Sequence, residues 1–391
     1  MKTWRFLLLM LLITTLSVLC TSCWNYREIS DMSLIEGIAI DKLDNHYEIT
    51  GKLLLATTEN PTEGTLQHFL VNAKGLTIFD AVRNLILENG KKVYFGHLNY
   101  IIVSEQIARE GITQVLDLFM RDIESREDMW IFVATPNFSA SDVLHGISYK
   151  ELVSYIEDAT SNAKNIAKFY PAKMYELVKC INEKGSDGIV PLISKVSSDI
   201  GKTAHIEGSA VFNNNVMTGT LSGDESKILL LMLGKGSSSI IPIIYHDDHN
   251  TSKVTLEVIN NKADILPDFH EDGSITIRIK VHLNVMIAEI MNNHVIVTST
   301  EGQKKLIAAA SEDIKKNIEA LIVRAQKEFK SDIFSFGETV KDVNPNLWRD
   351  IANNWHNIFQ GIDVDVDVEI KIYGSSLFKQ IITKPHNMKA R

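Results

Sequence analysis

Two segments near the C-terminal end alternate between apolar and polar residues, and this alternation constrains the fold more than any other feature. On the polar side of segment 275–287, every second position carries a basic or imidazole side chain, namely Arg278, Lys280 and His282. In segment 362–372 the same spacing holds four acids, Asp363, Asp365, Asp367 and Glu369. Because successive side chains of a strand point to opposite faces, both segments are predicted to be half-buried strands with one charged face.

The opposite charges predict that these two strands are neighbours in one sheet. Like charges that face each other destabilise a sheet, so an acidic row is better tolerated beside a basic one. A slip of one residue would turn the apolar side chains to solvent, and the charges therefore help to set the register. The helical pattern at 303–329 is predicted to cover the shared apolar face.

The rest of the chain mixes the two periodicities. Strand patterns fall at 35–40, 47–55, 94–103, 130–135, 191–195, 205–212, 216–221 and 240–245. Helical patterns fall at 77–90, 104–119, 224–233 and 345–359, with three more between 139 and 183. The polar stretch 197–203 is interpreted as a linker, and a second boundary is expected at 267–273.

These patterns predict a mixed α/β, or α+β, fold of three domains, each a small mixed or antiparallel sheet with packed helices. The predicted segments are a signal peptide at 1–22, an N-terminal α/β domain at 23–200, a middle domain at 204–266, a C-terminal α+β domain with a long helix at 270–378, and a tail at 379–391.

The first 22 residues have the pattern of a secretory signal peptide. Lys2 and Arg5 precede the apolar run 6–19, which is shorter than the roughly 20 residues that a membrane-spanning helix needs. Thr21 and Ser22 are small and stand directly before Cys23, as in a lipobox, although Cys20 occupies the position where leucine is usual. Cys23 is therefore the predicted lipid-attachment site. The alternative is a plain secretory signal with two incidental cysteines.

Charge and cysteine content agree with a lipid anchor. The formal net charge is -9, and removal of 1–22 takes away Lys2 and Arg5 but no acid, giving -9 - 2 = -11. Such a chain is a poor partner for nucleic acid or for an anionic lipid surface. A lipid with two acyl chains would instead hold the protein stably at the membrane. Only Cys23 and Cys180 remain after cleavage, so no intramolecular disulfide is expected.

Catalytic motifs are absent from the sequence, which contains no GxSxG, GxxxxGK[ST], HExxH or GxGxxG pattern. We therefore expect a protein that is not an enzyme and that holds no cofactor or metal. Two groups could in principle bind a cation, the run His246-Asp247-Asp248-His249 and the acidic row of 363–369. Adjacent ligands rarely converge on one ion, and calcium ligands usually come from a loop, so a solvated loop and a charged strand face are favoured.

Short stretches in order along the chain resemble the Ger(x)C family of spore germination lipoproteins. They are Cys23-Trp24, Arg27-Glu28-Ile29, Gly37-Ile38-Ala39-Ile40-Asp41, Lys74-Gly75 with Thr77 and Ala81, Phe95-Gly96-His97-Leu98, Arg121-Asp122, Glu207-Gly208-Ser209-Ala210-Val211-Phe212, Asp332, Phe336-Gly337, Pro345, Trp348 and Trp355. Asn25 departs from the pattern, which more usually has Asp there.

The resemblance implies a three-domain α/β lipoprotein on the outer surface of the spore inner membrane. It would be the C subunit of a germinant receptor, beside integral-membrane A and B subunits, without enzymatic activity. Only Cys23 carries over as a functional site. His97, Trp348 and Trp355 also match family motifs, and for them a role in the fold is favoured over the alternative, contact with a ligand.

Two other classes of surface protein compete with this interpretation. A solute-binding lipoprotein of a transporter would share the anchor, but it needs two similar α/β lobes around a ligand cleft, and the two halves of this chain differ in pattern. A surface hydrolase would need a catalytic constellation that the motif search does not find.

Overall fold

The computed structural model describes residues 2–19, 31–56, 66–145, 152–198, 201–247, 250–291 and 299–375. The strands in these ranges are β1 (Met32–Leu43), β2 (His46–Ala56), β3 (Leu66–Gly75), β4 (Lys92–Tyr94), β5 (Tyr100–Val103), β6 (Trp130–Ala134), β7 (Ile189–Ser198), β8 (Gly201–Asn213), β9 (Val216–Leu221), β10 (Ile240–Asp247), β11 (Asn250–Phe269), β12 (Ile275–Ile290) and β13 (Asp363–Ser375).

The α-helices in the same ranges are α1 (Lys2–Leu19), α2 (Ile78–Asn89), α3 (Glu105–Glu110), α4 (Thr113–Arg121), α5 (Ala140–His145), α6 (Leu152–Ser161), α7 (Ala163–Ile166), α8 (Met174–Asn182), α9 (Gly223–Met232), α10 (Thr300–Arg324), α11 (Phe336–Val343), α12 (Pro345–Ile351) and α13 (Trp355–Phe359). The mixed α+β class predicted from the sequence is confirmed.

The first sheet has the order β3-β2-β1-β5-β6-β7-β8-β9, with the short β4 beside the start of β1. The central strands β1, β5, β6 and β7 run parallel to one another. Antiparallel pairs flank them on both sides. The central strands are apolar without alternation, and all four residues of β5 are buried. Helices therefore cover both faces of the sheet, as the continuous apolar runs require.

The first hairpin and the helix α2 form as the sequence predicts. Leu43 pairs with His46 across a turn in which Asp44 has a φ of 53°. Thr77 caps α2 by accepting the amide of Asp80 at 3.1 Å. The helix ends at Gly90, whose φ of 72° favours glycine.

Two predicted elements of the first sheet are interrupted. The predicted strand 94–103 contains a 3₁₀ turn at Phe95–His97 that separates β4 from β5, because Phe95 and Leu98 both turn into the core. The predicted helix 104–119 breaks at Gly111, whose φ of 129° is incompatible with a helix, and so forms α3 and α4.

The predicted linker 197–203 is wrong. The two ends of this stretch pair with each other in a β-hairpin, since Ser197 pairs with Lys202 and Ser198 pairs with Gly201. Polar composition resembled a linker here because the turn-side ends of hairpin strands are commonly polar.

The second sheet has the order β10-β11-β12-β13. β12 and β13 run parallel, and the register places Arg278 opposite Asp365, Lys280 opposite Asp367 and His282 opposite Glu369. The predicted pairing of the basic and acidic strands is therefore confirmed. Their apolar residues share one core with the buried stripe of α10, which confirms the predicted cover.

The residues 204–266, predicted as a middle domain, contribute to both sheets. The hairpin β8–β9 extends the first sheet, and β10 and β11 begin the second. A single core crosses between them, because Ile189, Val211 and Leu221 of the first sheet pack with the residues of β12 and α10. The domain boundaries themselves stay a prediction.

Candidate functional site

Cys23, the predicted lipid-attachment site, lies outside the described residues, as do its neighbours 20–30. The described chain resumes at Asp31, just before β1. Helix α1 precedes the gap, and its large apolar side chains are exposed. None of the described helices is long and apolar enough to cross a membrane. The assignment of the anchor to Cys23 therefore stays a prediction.

The most distinctive polar cluster of the described residues joins the first sheet to the C-terminal helices. We call it the junction site and define it as Asp187, Asn214, Asp332, Trp355 and His356. Asp187 precedes β7, and Asn214 lies in the turn between β8 and β9. The other three residues follow α10 or begin α13.

Asp332 receives donors on both of its carboxylate oxygens. The amides of Phe334 and Phe336 donate to Oδ1 at 3.3 and 3.1 Å. The amide of Gly337 and the indole Nε1–H of Trp355 donate to Oδ2, each at 2.9 Å. The carboxyl group thus caps the start of α11 and fixes the tryptophan ring.

Asp187 ties the two parts of the chain together. Its Oδ2 accepts the amide of Asp332 at 2.7 Å, and its own amide donates to the Asp332 carbonyl at 2.9 Å. Its Oδ1 accepts the amide of Asn214 at 2.9 Å and lies 3.7 Å from Nε2 of His356. The side-chain nitrogen of Asn214 lies 3.2 Å from the same imidazole nitrogen.

Two glycines allow the close approach at this site. A Cβ on Gly337 would lie 2.4 Å from the Cα of Gly185 and 2.6 Å from Nε1 of Trp355. The Glu338 amide donates to the Gly185 carbonyl at 3.1 Å. Trp348 packs against Trp355 with ring centroids 5.3 Å apart, which closes the site from the side of α12.

Burial governs the electrostatics of the junction site. It raises the pKa of the fully buried Asp332 carboxyl to about 7, against the opposing effect of the donors from Gly337, Trp355 and Phe336. Burial also raises the pKa of Asp187, while the amide of Asn214 opposes it. Both acids therefore hold a proton more tightly than an exposed aspartate does.

Among the residues that the sequence singled out, the junction site brings together only the C-terminal ones. Asp332, Gly337 and Trp355 meet there, with Trp348 beside them. His97 is exposed on the 3₁₀ turn between β4 and β5 and does not join the site. The sequence did not indicate Asp187, Asn214 or His356. The only local signal for Asp187 was a turn-forming context, which is common in loops.

The structure describes only one of the two candidate cation-binding groups completely. Of the run 246–249, residues 248 and 249 lie outside the described residues. The acidic row faces the basic side chains of β12, with Lys280 Nζ 3.8 Å from Asp367 and Nδ1 of His282 3.1 Å from Glu369. Within the described ranges, no three His, Cys, Asp or Glu side chains form a group that could hold a metal ion.

A second polar cluster, which the sequence analysis missed, is buried within the first sheet. Glu36 sits at a bulge of β1, with Lys52 Nζ 3.6 Å and His68 Nδ1 2.9 Å from its Oε2. Despite these short distances, neither Oε2 of Glu36 nor Nδ1 of His68 has a hydrogen-bond partner of good geometry among the described residues. Tyr100 is fully buried nearby, and its hydroxyl has no hydrogen-bond partner among the described residues.

Cys180 on α8 is half-buried and is a free thiol. Burial raises its pKa, although the Ser186 hydroxyl 3.8 Å from Sγ opposes the shift. A thiol with a raised pKa is a poor nucleophile at neutral pH, so this residue is structural.

Comparison with known proteins links this geometry to one family. A family model described as spore germination B3/GerAC like, C-terminal, matches residues 207–376, and a model described as spore germination protein N-terminal domain matches residues 25–195. The two matches are consecutive, and each covers residues of the junction site.

Curated relatives from Bacillus subtilis (strain 168) match nearly the whole chain. Spore germination protein B3 is 25% identical over 91% of this chain and 94% of its own length. Spore germination protein A3 is 24% identical over 92% and 96%. Spore germination protein KC is 23% identical over 94% of each.

A solved structure shares the fold. The crystal structure of the GerBC protein superposes with a TM-score of 0.57 and 21% sequence identity, covering 88% of this chain and 100% of that one. With both halves of the chain matched in order and the fold shared, the chain belongs to the Ger(x)C family of spore germination proteins.

Proposed function

We propose that this protein is the lipid-anchored C subunit of a spore germinant receptor. In this role it acts in nutrient-triggered germination as a non-catalytic binding or scaffold component. Its partners are the integral-membrane A and B subunits, and it lies on the outer surface of the spore inner membrane. The family membership and the names of the relatives support the process, and the sequence around Cys23 supports the anchor.

The observation that carries the non-catalytic role is the saturation of the junction carboxylates. Asp332 is the described carboxyl with the most strongly perturbed pKa, and such groups are the first candidates for catalysis. However, its two oxygens accept four donors from the chain itself, three of them backbone amides. A buried carboxyl group held in this way serves as a helix cap and is poorly placed to act on a substrate.

The junction site suits a scaffold because it fixes the C-terminal helices on the first sheet. The Asp187 carboxylate accepts hydrogen bonds from the β8–β9 turn and from the loop before α11, and the side-chain Nδ2 of Asn213 donates to the Lys330 carbonyl at 2.7 Å. A protein that must hold two membrane subunits in a defined arrangement needs such a rigid connection between its own parts.

The solute-binding alternative is disfavoured by the same architecture. Solute-binding lipoproteins close two similar lobes over a ligand. Here the two sheets differ in strand number and order, and one apolar core continues from the first sheet into the second.

Mass spectrometry of the protein isolated from spore membranes tests the anchor. The expected mature chain begins at Cys23 and carries diacylglycerol. The Cys23→Ala variant should leave the membrane fraction, whereas Cys20→Ala should stay in it. An unmodified Cys23, or a mature chain that begins elsewhere, would contradict the proposed anchor.

Germination of spores that lack the gene tests the receptor role. Such spores should lose their response to at least one nutrient of a panel, and the wild-type gene should restore it. The Cys23→Ala gene should restore it poorly. Spores without the gene that respond normally to every nutrient, alone and in mixtures, would contradict the receptor role.

A further inference from the structure

One end of the first sheet exposes two large apolar side chains. Leu87 on α2 is 83% exposed, and Ile123, just after α4, is 99% exposed. Among the described residues these are the two highest exposures of large apolar side chains. Isolated exposed leucines are ordinary, but two such residues at one end of a sheet offer apolar surface to a partner on that side.

Both residues lie at the end of the sheet where β1 begins. Lys92 of β4 pairs with Met32 of β1, and α2 ends three residues before Lys92. Lys92 Nζ also donates to Glu124 at 2.7 Å, which brings the residues after α4 to the same place. We call this end, formed by Asp31, Leu87, Lys92, Ile123 and Glu124, the lower rim.

The predicted anchor joins the chain at the lower rim. Cys23 lies eight positions before Asp31. Even a fully extended chain of eight residues spans at most about 29 Å. The lipid chains on Cys23 would therefore keep the lower rim within that distance of the bilayer surface.

The lower rim carries no excess of positive charge, because Asp31 adds an exposed acid to its ion pairs. Lys92 pairs with Glu124, and just beside them Arg126 pairs with Asp128 at 2.7 Å. A surface of this kind has little attraction for anionic headgroups, so its contact with lipid would be made by the apolar side chains.

We propose that the lower rim is a membrane-contact surface, in which Ile123 and Leu87 insert into the interfacial layer of the bilayer beside the anchor. This inference rests on the proposed anchor at Cys23. The inference also gives the anchored protein an orientation, in which the end of the first sheet where β1 begins faces the lipid. The second contact restricts rotation about the anchor and presents the other surfaces of the protein in a fixed direction.

Environment-sensitive fluorescence on the full lipidated chain tests the orientation. Single probes are attached at Ile123→Cys, Leu87→Cys and Leu76→Cys in a Cys180→Ser background, and the chains are reconstituted in phosphatidylcholine vesicles with or without brominated acyl chains. Leu76 is the matched control, because it is 67% exposed at the opposite end of α2, roughly 16 Å from Leu87 at the rise of a helix.

Insertion predicts that bromine quenches the probes at positions 123 and 87 by about twofold or more, and leaves the probe at 76 unchanged. The same quenching is expected when phosphatidylglycerol is added, because the contact is apolar. A lipidated chain with no quenching at 123 and 87, or with equal quenching at 76, overturns the proposal. Crosslinking of Ile123→Cys to a membrane subunit in spores, without quenching by lipid, also overturns it and assigns the rim to a protein partner.

Mass spectrometry of the same samples separates the two proposals. A chain that carries no lipid at Cys23 and shows no quenching overturns both the anchor and the membrane contact. A chain without lipid that is nevertheless quenched at 123 and 87 overturns only the anchor.

Discussion

Asp187 and Asp332 are hydrogen-bonded to each other through both of their backbone amides, although 145 positions separate them in the chain. One amide donates to a carboxylate and the other to a carbonyl. The pair therefore closes a long loop of the chain at one buried point, where the C-terminal helices meet the first sheet. Stability at this point depends on interactions that neither half of the chain can make alone.

Removal of the Asp187 carboxylate is expected to destabilise the whole fold. Asp187→Ala leaves the amides of Asn214 and Asp332 without their acceptors. Each unsatisfied buried donor costs about 1–3 kcal/mol, so a loss of roughly 2–6 kcal/mol in the free energy of unfolding is expected for the two donors. Urea denaturation of the mature soluble chain measures it, and Asp363→Ala, which removes an exposed acid, serves as the control. Equal stability of the two variants would contradict the role of the pair.

The raised pKa of Asp332 predicts a pH dependence of stability. Between about pH 4 and pH 7 the folded chain keeps the proton on Asp332, whereas the unfolded chain has lost it. The folded state then binds more protons, so its free energy of unfolding falls as the pH rises through this window, by at most about 1.4 kcal/mol per pH unit. Above about pH 7 this contribution no longer changes.

Denaturation of wild type and Asp332→Asn at several pH values checks this dependence. The variant should be less stable at every pH, because an amide cannot replace both acceptor oxygens, and its stability should fall less between pH 4 and 7. Asp342→Asn, at an exposed position of α11, should keep the wild-type slope. An unchanged slope in Asp332→Asn would show that other groups cause the pH dependence.

The glycine at the start of α11 gives a steric test of the junction site. In Gly337→Ala the new methyl group would lie 2.4 Å from the Cα of Gly185 and 2.6 Å from the indole nitrogen of Trp355. Because a backbone atom cannot move aside easily, we expect a loss of about 1–3 kcal/mol. In Gly361→Ala, made as the control, the nearest atom to the methyl group is 3.9 Å away. Similar melting temperatures for both variants would contradict the tight packing.

Local periodicity explains which elements could be predicted from the sequence. The strands β12 and β13 were predictable because their alternation is regular and their charges are complementary. The neighbouring β11 was not recognised, although it is the longest strand described. Its buried positions alternate regularly from Ser252 to Val258, but the extra residue Ile259 shifts the phase and the polar Asn261 then takes the buried side.

The junction site could be predicted only in part, because some of its residues come from distant parts of the chain. Asp332, Gly337 and Trp355 lie within 24 consecutive positions, and they were noticed through a family resemblance. Asp187 and Asn214 meet them only in the folded chain. An aspartate before a strand and an asparagine in a hairpin turn have ordinary local explanations, so no sequence pattern distinguishes them from other turn residues.

The buried pair of Glu36 and Lys52 predicts that removing the lysine alone destabilises the fold more than replacing both residues. Both side chains are less than one-tenth exposed, and burial lowers the pKa of Lys52. Lys52→Met removes the buried cation beside the Glu36 carboxylate, so a loss of about 3–5 kcal/mol is expected. The double variant Glu36→Gln/Lys52→Met should recover part of this loss. Lys42→Met, which removes an exposed partner of Glu110, should change stability little in the same urea titration.

A charge exchange between β12 and β13 tests how much the ladder of opposite charges contributes. Lys280 and Asp367 face each other in the register, with Nζ and the carboxylate 3.8 Å apart. Lys280→Asp places one more acid beside the acidic row, and Asp367→Lys places two lysines opposite each other. Because both side chains are about half exposed or more, we expect each single variant to lose only about 0.2–1 kcal/mol.

The double variant Lys280→Asp/Asp367→Lys restores an opposite pair in the same register and should recover most of the loss. Repeating the three titrations at high salt should shrink the differences, since screening weakens exposed pairs. A loss that persists at high salt, or that the exchange does not recover, would mean that these positions act through packing. The register would then depend on the apolar face alone, where the residues of β12 and β13 pack beneath α10.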